Sequence, residues 1–142
     1  MTDDTSSTEL LPETDAAEQE AAIAALFEDY RAGFNDFDAE TILDCFAFPA
    51  TIWQFGKGYV FQDEEELAEN IDMLLAAVDK EGVTYSEYAT VACHISGTAA
   101  LVTLDWNQQG ADGDTVLAFT CHYHLIRDDD EWLISTIVNE AP

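Results

Sequence analysis

The sequence has very few basic residues. Its 142 residues include four Lys and Arg against thirty Asp and Glu, which gives a formal net charge of −26 at pH 7. Nucleic acids and anionic lipids bind proteins through cationic surfaces. The charge therefore argues against both as partners and predicts a strongly solvated, acidic surface. The same excess would suit a protein adapted to high salt, where counterions screen the self-repulsion.

Cysteines and long apolar segments are also scarce. The three cysteines, Cys45, Cys93 and Cys121, are odd in number and each lies within an apolar segment. This pattern predicts buried free thiols in a reducing compartment and not a disulfide framework. No run of eighteen apolar residues occurs, and Met1 is followed by acidic and hydroxyl residues and not by a basic, then apolar leader. We therefore expect a cytoplasmic protein.

The remaining composition predicts one folded domain. Hydrophobic residues make up 48% of the chain, enough for a single buried core at this length. Residues 1–14 are acidic and polar and carry little apolar surface, so we predict a disordered tail there. Residues 15–142 form the predicted domain.

Three helices are predicted from capping signals and apolar spacing. Asp15 and Glu18 form a capping-box pattern at the start of the first helix. A second, short helix is predicted from Asp38 to about Ala47, and a third begins at a capping box at Asp63 and ends before Gly82. The first helix has an apolar stripe at helical spacing, formed by Ile23, Leu26, Phe27, Tyr30 and Phe34.

The rest of the chain predicts a sheet. A short hairpin pairs residues 51–55 with 59–61 through a turn at residues 56–58. Four long strands follow, at roughly residues 83–95, 98–108, 115–127 and 131–139.

The predicted turn at Ser96 and Gly97 fixes which strand residues share a face. It pairs Val91 with Val102 and Cys93 with Ala100. The resulting apolar face should be concave and packed on the helices, and it comprises Ala89, Val91, Cys93, Ala100, Val102, Leu104, Trp106, Phe119, Cys121, Tyr123, Leu125, Trp132 and Ile134. The opposite, outer face is predicted to carry Tyr88, Thr90, His94, Thr103, Asp105, His122, His124 and Ser135.

Four segments together carry a resemblance to a known superfamily. They are Tyr30–Asn35, the stretch from Asp38 to Ala47, Ala50–Ile52, and Arg127–Ile134. In their order and spacing they resemble the nuclear transport factor 2-like superfamily, which includes ketosteroid isomerases, SnoaL-like cyclases and many binding domains. The resemblance covers residues 15–140 and implies an α+β fold. In this cone-shaped, cystatin-like roll, three N-terminal helices pack on the concave face of a curved, mostly antiparallel sheet, with a short hairpin between the second and third helices.

The resemblance also implies functional positions, and most are occupied by side chains unsuited to the family's proton transfer. The tyrosine that binds an oxyanion in the isomerases corresponds to Tyr30. The general-base carboxylate corresponds to Gln54, whose amide cannot abstract a proton. The carboxyl group of the penultimate long strand corresponds to Cys121. The mechanism of the isomerases and cyclases is therefore not expected here.

Histidines and acidic loops offer weak alternatives. His122 and His124 share one face of a strand, a spacing that metal sites use, but His94 lies two strands away, roughly 10 Å on strand spacing. Neither histidine faces Cys121, so we expect an inert thiol there. The acidic turns at residues 112–114 and 128–131 lack the geometry of calcium loops. We predict no metal and no cofactor.

The leading hypothesis is a pocket that binds an uncharged, apolar or aromatic small molecule. Its predicted lining is Tyr30, Phe34, Gln54, Trp106, Phe119, Cys121 and Tyr123. Tyr30 could also be an ordinary core tyrosine bonded to nearby backbone, and Gln54 a satisfied amide at a strand end.

Two other functions stay open. One is a hydratase, hydrolase, dehydratase or isomerase that uses Tyr30 with Asp105, if a one-residue bulge turns Asp105 inward. The other is a structural dimerisation module. Under the leading hypothesis, too, we expect a homodimer that forms through the outer sheet face.

Overall fold

The computed structural model describes residues 12–140, with side chains from residue 16 onward. The first eleven residues of the predicted tail lie outside this part. Helix α1 spans Pro12–Asn35, so residues 12–14 are helical and Asp15 lies inside the helix. The predicted N-cap at Asp15 was therefore wrong. Proline is well tolerated in a first helical turn because its φ is already helical and that turn needs no N–H donor.

The second helix is shorter than predicted. Helix α2 spans Ala39–Leu43, and the side chain of Asp38 caps it by accepting from the Thr41 backbone N–H. The chain then enters strand β1, Phe46–Gln54, and not a further helical turn. Phe46 pairs in parallel with Ile134 of the last strand, and Ile134 N–H donates to the Cys45 carbonyl at 2.8 Å. Phe46 has the spacing of a helical residue, but its pairing with Ile134 places it in the sheet.

Strand β1 forms a hairpin with strand β2, Lys57–Phe61. The turn is a two-residue turn at Phe55 and Gly56, not at residues 56–58, because Gln54 pairs with Lys57. Phe55 and Gly56 both have positive φ, 55° and 76°, as a type I′ turn requires. Gly58 serves a different purpose, since a Cβ there would lie 2.8 Å from the Trp53 ring.

Helix α3, Glu64–Lys80, follows the prediction closely. Asp63 accepts from the Glu66 backbone N–H at 3.0 Å, and the Glu66 carboxylate in turn accepts from the Gln62 N–H at 2.7 Å. Its buried face comprises Leu67, Ile71 and Leu75. Gly82 has φ +86° just past its end, which confirms the predicted left-handed position.

Four long strands complete the sheet: β3 Tyr85–Ser96, β4 Ala99–Gln109, β5 Thr115–Asp128 and β6 Glu131–Asn139. The strand order is β2-β1-β6-β5-β4-β3, and every pair is antiparallel except β1 with β6. Helix α1 contacts β3 and β6, and the buried core lies between the helices and the inner sheet face. The predicted α+β, cystatin-like roll is therefore confirmed.

Strand β3 departs from the predicted register. The tight turn lies at Gly97 and Thr98, so Ser96 pairs with Ala99 and Cys93 pairs with Val102. A bulge at Val91 then separates the pairs of Thr90 and Ala92. Because one extra residue exchanges the two faces, Tyr88 and Thr90 lie on the inner face, while Ala89 and Val91 lie on the outer face.

The faces of the other strands agree with the prediction. Inner residues of β4 and β5 alternate as expected, and Leu104, Trp106, Cys121, Tyr123 and Leu125 are buried. Asp105 pairs with Thr120 on the outer face, and the Thr120 hydroxyl donates to its carboxylate at 2.7 Å. The bulge needed to turn Asp105 inward lies on β3 and not on β4.

Candidate functional site

A cavity of about 650 Å³ opens between the inner sheet face, the C-terminal end of α1 and helix α3. Its volume lies within the range of small-molecule sites in proteins. The lining is mostly apolar and aromatic and comprises Tyr30, Phe34, Ile52, Gln54, Phe55, Asn70, Met73, Leu74, Val78, Trp106, Gln108, Leu117, Ala118, Phe119, Thr120, Cys121, Tyr123, Ile137, Asn139 and Glu140.

Every side chain in the predicted lining reaches this cavity. Tyr30 and Phe34 come from one face of α1, and Gln54 comes from the end of β1 next to the hairpin turn. The others come from the inner faces of β4 and β5, because alternate residues of a strand point the same way. The structure therefore brings residues from four elements to one hollow.

Tyr30 is a buried polar group of the lining. Its side chain is 7% exposed and its ring packs at 5.1–6.3 Å, centroid to centroid, against five other aromatic rings. Within residues 12–140 its hydroxyl makes no hydrogen bond, and burial raises its pKa far above the usual value. A buried hydroxyl without a partner is unusual, because its desolvation is uncompensated. The local backbone partner considered above is not found.

A second phenol, Tyr123, is fully paired. Its oxygen accepts from the Trp106 indole N–H at 2.8 Å, and both side chains are buried. Burial raises the pKa of Tyr123 well above its usual value, so the phenol stays neutral. Tyr123 therefore differs from Tyr30, which lies 6.2 Å away between ring centroids and has no such partner.

Cys121 is a buried, protonated thiol. Its Sγ donates to Asn139 Oδ1 at 2.6 Å, and Asn139 Nδ2 donates to the Trp53 carbonyl at 3.3 Å. Burial raises the pKa of Cys121 to about 11, against a smaller opposing effect of a hydrogen bond with Tyr123. A thiol of this kind is a poor nucleophile near neutral pH. All three cysteines are free as predicted, and Cys45 and Cys121 are buried, but Cys93 is only partly buried.

Gln54 and Gln108 give the cavity two amides of different character. Gln54 is exposed at the mouth, and its side chain makes no hydrogen bond to Tyr30 or to any other residue in the described part of the chain. Gln108 is 5% exposed and its Nε2 donates to Ser86 Oγ at 3.3 Å. The sequence analysis missed Gln108, although it continues the inner row of β4 after Trp106 by simple alternation.

The mouth of the cavity carries further residues that the sequence analysis did not assign to it. Phe55 at the hairpin turn, Met73 on α3 and Leu117 on β5 are 80%, 67% and 51% exposed. Exposed apolar side chains around one opening are typical of a ligand entrance. Met73 could have been recognised from the sequence, because it is an apolar residue of α3 that lies outside the buried stripe of that helix.

Glu140 is the lining carboxylate within residues 12–140, and it lies at the rim. Its Oε2 is 2.7 Å from His122 Nε2, and His122 Nδ1 is 3.0 Å from the Thr103 hydroxyl. Both side chains of the Glu140–His122 pair are about half exposed, at 57% and 44%. Asp105, the carboxylate proposed from sequence, does not line the cavity.

The histidines do not converge. Both ring nitrogens of His122 have protein partners, Thr103 and Glu140. Across the described ranges, no group of three or more His, Cys, Asp or Glu side chains is arranged to hold a metal ion.

No helix among residues 12–140 combines the length and apolarity needed to cross a bilayer.

Several solved structures share this fold. An NTF2-like protein of unknown function from Shewanella oneidensis is 18% identical, with a TM-score of 0.67 over 87% of this chain and 99% of that one. A cystatin-like domain of unknown function from Nostoc punctiforme is 19% identical, with a TM-score of 0.72 over 87% and 76%. An NTF2-like protein from Streptomyces avermitilis, provisionally described as a dehydratase, is 16% identical, with a TM-score of 0.65 over 90% and 96%. At these identities the likeness establishes the fold alone.

Sequence comparison gives the family. No curated protein matches the chain. A family model described as NTF2-like protein (DUF6841) matches residues 18–142, which include every residue that lines the cavity. The chain therefore belongs to this family of NTF2-like proteins.

Proposed function

We propose that this protein binds a small, uncharged, apolar or aromatic molecule that carries a hydrogen-bond acceptor for Tyr30. The observation that carries the proposal is the Tyr30 hydroxyl, which is buried in the cavity and has no partner within residues 12–140. A ligand oxygen at this position would satisfy the hydroxyl, while the surrounding rings would supply apolar contact.

The charge of the lining disfavours an anionic ligand. Tyr30, Cys121 and Tyr123 all stay protonated near neutral pH, because burial raises the pKa of each. No Lys or Arg is among the lining residues of the described chain, so an anion would lack a counter-charge. The protein's net charge of −26 further disfavours anions.

The proposal can be tested with two matched probes, 2-acetylnaphthalene and 2-ethylnaphthalene, which differ in the carbonyl oxygen. Wild-type protein should bind the ketone more tightly. In Tyr30→Phe the ketone should lose roughly 3- to 10-fold in affinity, the worth of one net hydrogen bond, and the hydrocarbon should lose none. Titration by intrinsic fluorescence measures both. Failure of wild-type protein to bind either probe would contradict the proposal.

A second candidate function is supported by the Glu140–His122 pair. Glu140 lines the cavity and lies 2.7 Å from His122, which is on the outer face, and a carboxylate in this position can exchange protons with a bound molecule. The chain would then be an enzyme in which Tyr30 donates a hydrogen bond and Glu140, not Asp105, is the ionisable partner. Exchange of the 2-acetylnaphthalene methyl protons in D₂O, followed by NMR, tests this. Catalysed exchange that Glu140→Gln abolishes would favour the enzyme; exchange at the rate of buffer alone would favour a binding protein.

We also propose that the outer sheet face forms a homodimer. This face carries Val91, Leu101 and Val138, which are 58%, 57% and 41% exposed. These apolar side chains share the face with polar residues such as Thr103 and His122, and contact with a second copy of the chain would bury them. Leu101→Asp should shift sedimentation from dimer to monomer, whereas Met73→Asp on α3 should not. A monomeric wild-type protein at micromolar concentration would contradict this proposal.

The remaining alternative, a purely structural module, is less well supported. A cavity of about 650 Å³ is far larger than a site for ordered water, and a purely structural domain has no need of it. We propose a cytoplasmic location, because three free thiols suit a reducing compartment.

A further inference from the structure

Gln108 interrupts an otherwise apolar row. The inner residues of β4 run Ala100, Val102, Leu104, Trp106 and Gln108, and all of them are buried. A leucine at the last position would continue the row and extend the apolar core. The chain instead places an amide that is 5% exposed and lines the cavity.

The amide of Gln108 is only partly satisfied. A glutamine side chain offers two N–H donors and one carbonyl acceptor. Its Nε2 donates to Ser86 Oγ at 3.3 Å. Its Oε1 accepts no hydrogen bond from any residue between 12 and 140. A buried carbonyl in this state is costly unless another group reaches it.

The surroundings hold Gln108 in a fixed position. Ser86 is its cross-strand partner and is 3% exposed. Asn35, at the end of α1, clamps Ser86 by two hydrogen bonds, from the Ser86 N–H to its Oδ1 at 2.6 Å and from its Nδ2 to the Ser86 carbonyl at 3.1 Å. A side chain held through such supporting contacts presents its free atom in one direction, as specific binding sites require.

We propose that Gln108 is a specificity-determining residue whose Oε1 accepts a hydrogen bond from a hydroxyl or N–H group of the ligand. This deepens the proposed function and rests on it. Tyr30 and Gln108 together define a ligand with an apolar scaffold, one acceptor oxygen and one donor group. A hydrocarbon or a simple ketone satisfies only part of the site.

Three naphthalene probes distinguish the contact with Tyr30 from the contact with Gln108. 2-Acetylnaphthalene carries the acceptor alone, 6-acetyl-2-naphthol adds a donor, and 2-acetyl-6-methoxynaphthalene blocks that donor with a methyl group. In wild-type protein the naphthol should bind roughly tenfold more tightly than the methoxy compound, because only the naphthol can reach the free carbonyl. Fluorescence titration gives the three dissociation constants.

Two variants then show whether Gln108 or Tyr30 causes the preference for the naphthol over the methoxy compound. Gln108→Met keeps the side-chain length and removes the carbonyl, so it should abolish the preference for the naphthol over the methoxy compound. Tyr30→Phe should weaken all three probes by a similar factor and keep the preference. If Gln108→Met does not fold, as judged by thermal unfolding, Ser86→Ala releases Gln108 from its support and should reduce the preference.

The outcomes are distinguishable. A preference for the naphthol that survives in Gln108→Met, or that is undiminished in Ser86→Ala where that variant replaces it, overturns this inference while the proposed function stands. A wild-type protein that binds the methoxy compound as tightly as the naphthol also overturns it. If none of the three probes binds wild-type protein, the proposed function fails and this inference fails with it.

Discussion

Two buried tyrosines of the cavity show how the same residue type can serve opposite purposes. Tyr123 accepts from the Trp106 indole at 2.8 Å, so its hydroxyl contributes to the stability of the fold. Tyr30 is buried as well, but its hydroxyl has no hydrogen-bond partner within residues 12–140. Its desolvation is a cost to folding that binding of a ligand would offset.

This contrast predicts opposite effects of two chemically identical substitutions. Tyr30→Phe should leave the free energy of unfolding unchanged or raise it by up to about 1 kcal/mol, because it removes an unsatisfied hydroxyl. Tyr123→Phe should lower it by roughly 1–3 kcal/mol, because it leaves the Trp106 N–H buried and unpaired. Urea denaturation of both variants measures the difference. A larger loss in Tyr30→Phe than in Tyr123→Phe would mean that Tyr30 has a structural partner.

Two buried thiols predict a loss of stability in alkaline solution. Burial raises the pKa of Cys121 to about 11 and that of Cys45 to about 12, whereas both have a pKa near 9 when unfolded. Above pH 9 the unfolded chain therefore loses protons that the folded chain retains. Their contribution is complete below pH 9 and should fall as the pH rises towards 11 and 12, by up to about 1.4 kcal/mol per pH unit for each thiol.

The alkaline effect can be assigned with a variant. Cys121→Ala should show a shallower decline of unfolding free energy between pH 9 and 11 than wild-type protein, whatever its stability at pH 7. Chemical denaturation at several pH values gives the slope. A wild-type curve that is flat from pH 8 to 11 would contradict the burial of these thiols.

At the scale of elements, the hairpin turn carries local strain beside the cavity. Phe55 has φ +55°, a region that suits glycine or asparagine and disfavours a bulky side chain. Its ring is 80% exposed, so little packing energy offsets the strain. An aromatic residue kept at such a position next to the mouth of a cavity is consistent with a functional use.

The strain predicts a stabilising substitution. Phe55→Asn creates the Asn-Gly pair favoured in type I′ turns and should raise the free energy of unfolding by roughly 0.5–1 kcal/mol. Gly56→Ala, at φ +76°, is the opposite control and should lower it. Thermal unfolding of the two variants checks the sign. If Phe55→Asn is destabilising, the Phe55 ring makes contacts that its exposure does not reveal.

Elements with strong local signals were predictable, and those decided by tertiary contacts were not. Asp63 with Glu66 marked the start of α3, and strand alternation placed Trp106, Cys121 and Tyr123 on one face. Helix α2 ended early because Phe46 pairs with Ile134, a contact far away in sequence. The bulge at Val91 exchanged the faces of Tyr88 and Ala89, and no residue in that stretch predicts a bulge.

In the candidate site, too, the residues that follow local patterns were predictable and those placed by tertiary contacts were not. Its predicted residues came from strand alternation and from the family resemblance, and all of them line the cavity. Gln108 was missed although alternation from Trp106 reaches it, because a polar residue near a strand end was not expected inside. Glu140 was missed because its position depends on how β6 ends beside Thr120, whose carbonyl accepts from the Glu140 N–H.

At the scale of the whole molecule, charge dominates. The chain carries thirty acidic and four basic residues, and in the described part of the chain Arg31 pairs with Glu28, while His122 lies beside Glu140 and is a counter-charge only when protonated. Most of the negative charge therefore has no local counter-charge and repels itself. Salt screens such repulsion, since the Debye length falls from about 10 Å at 0.1 M to about 3 Å at 1 M.

The charge predicts that salt stabilises the fold. The thermal unfolding midpoint should rise by several degrees between 0.1 and 1 M KCl, in line with a gain of about 1–2 kcal/mol. A neutral osmolyte at equal osmolality is the control, because it does not screen charge. A midpoint that does not change with KCl, or that rises equally with the osmolyte, would show that self-repulsion contributes little.

The central claim is that the cavity holds a ligand oxygen at Tyr30, and the most direct measurement is a crystal structure with 2-acetylnaphthalene bound. The ring system should lie among Phe34, Trp106 and Phe119, with the carbonyl oxygen about 2.7–3.0 Å from the Tyr30 hydroxyl. A probe that occupies the cavity with its oxygen turned away from Tyr30, or a cavity that stays empty at saturating probe, would contradict it.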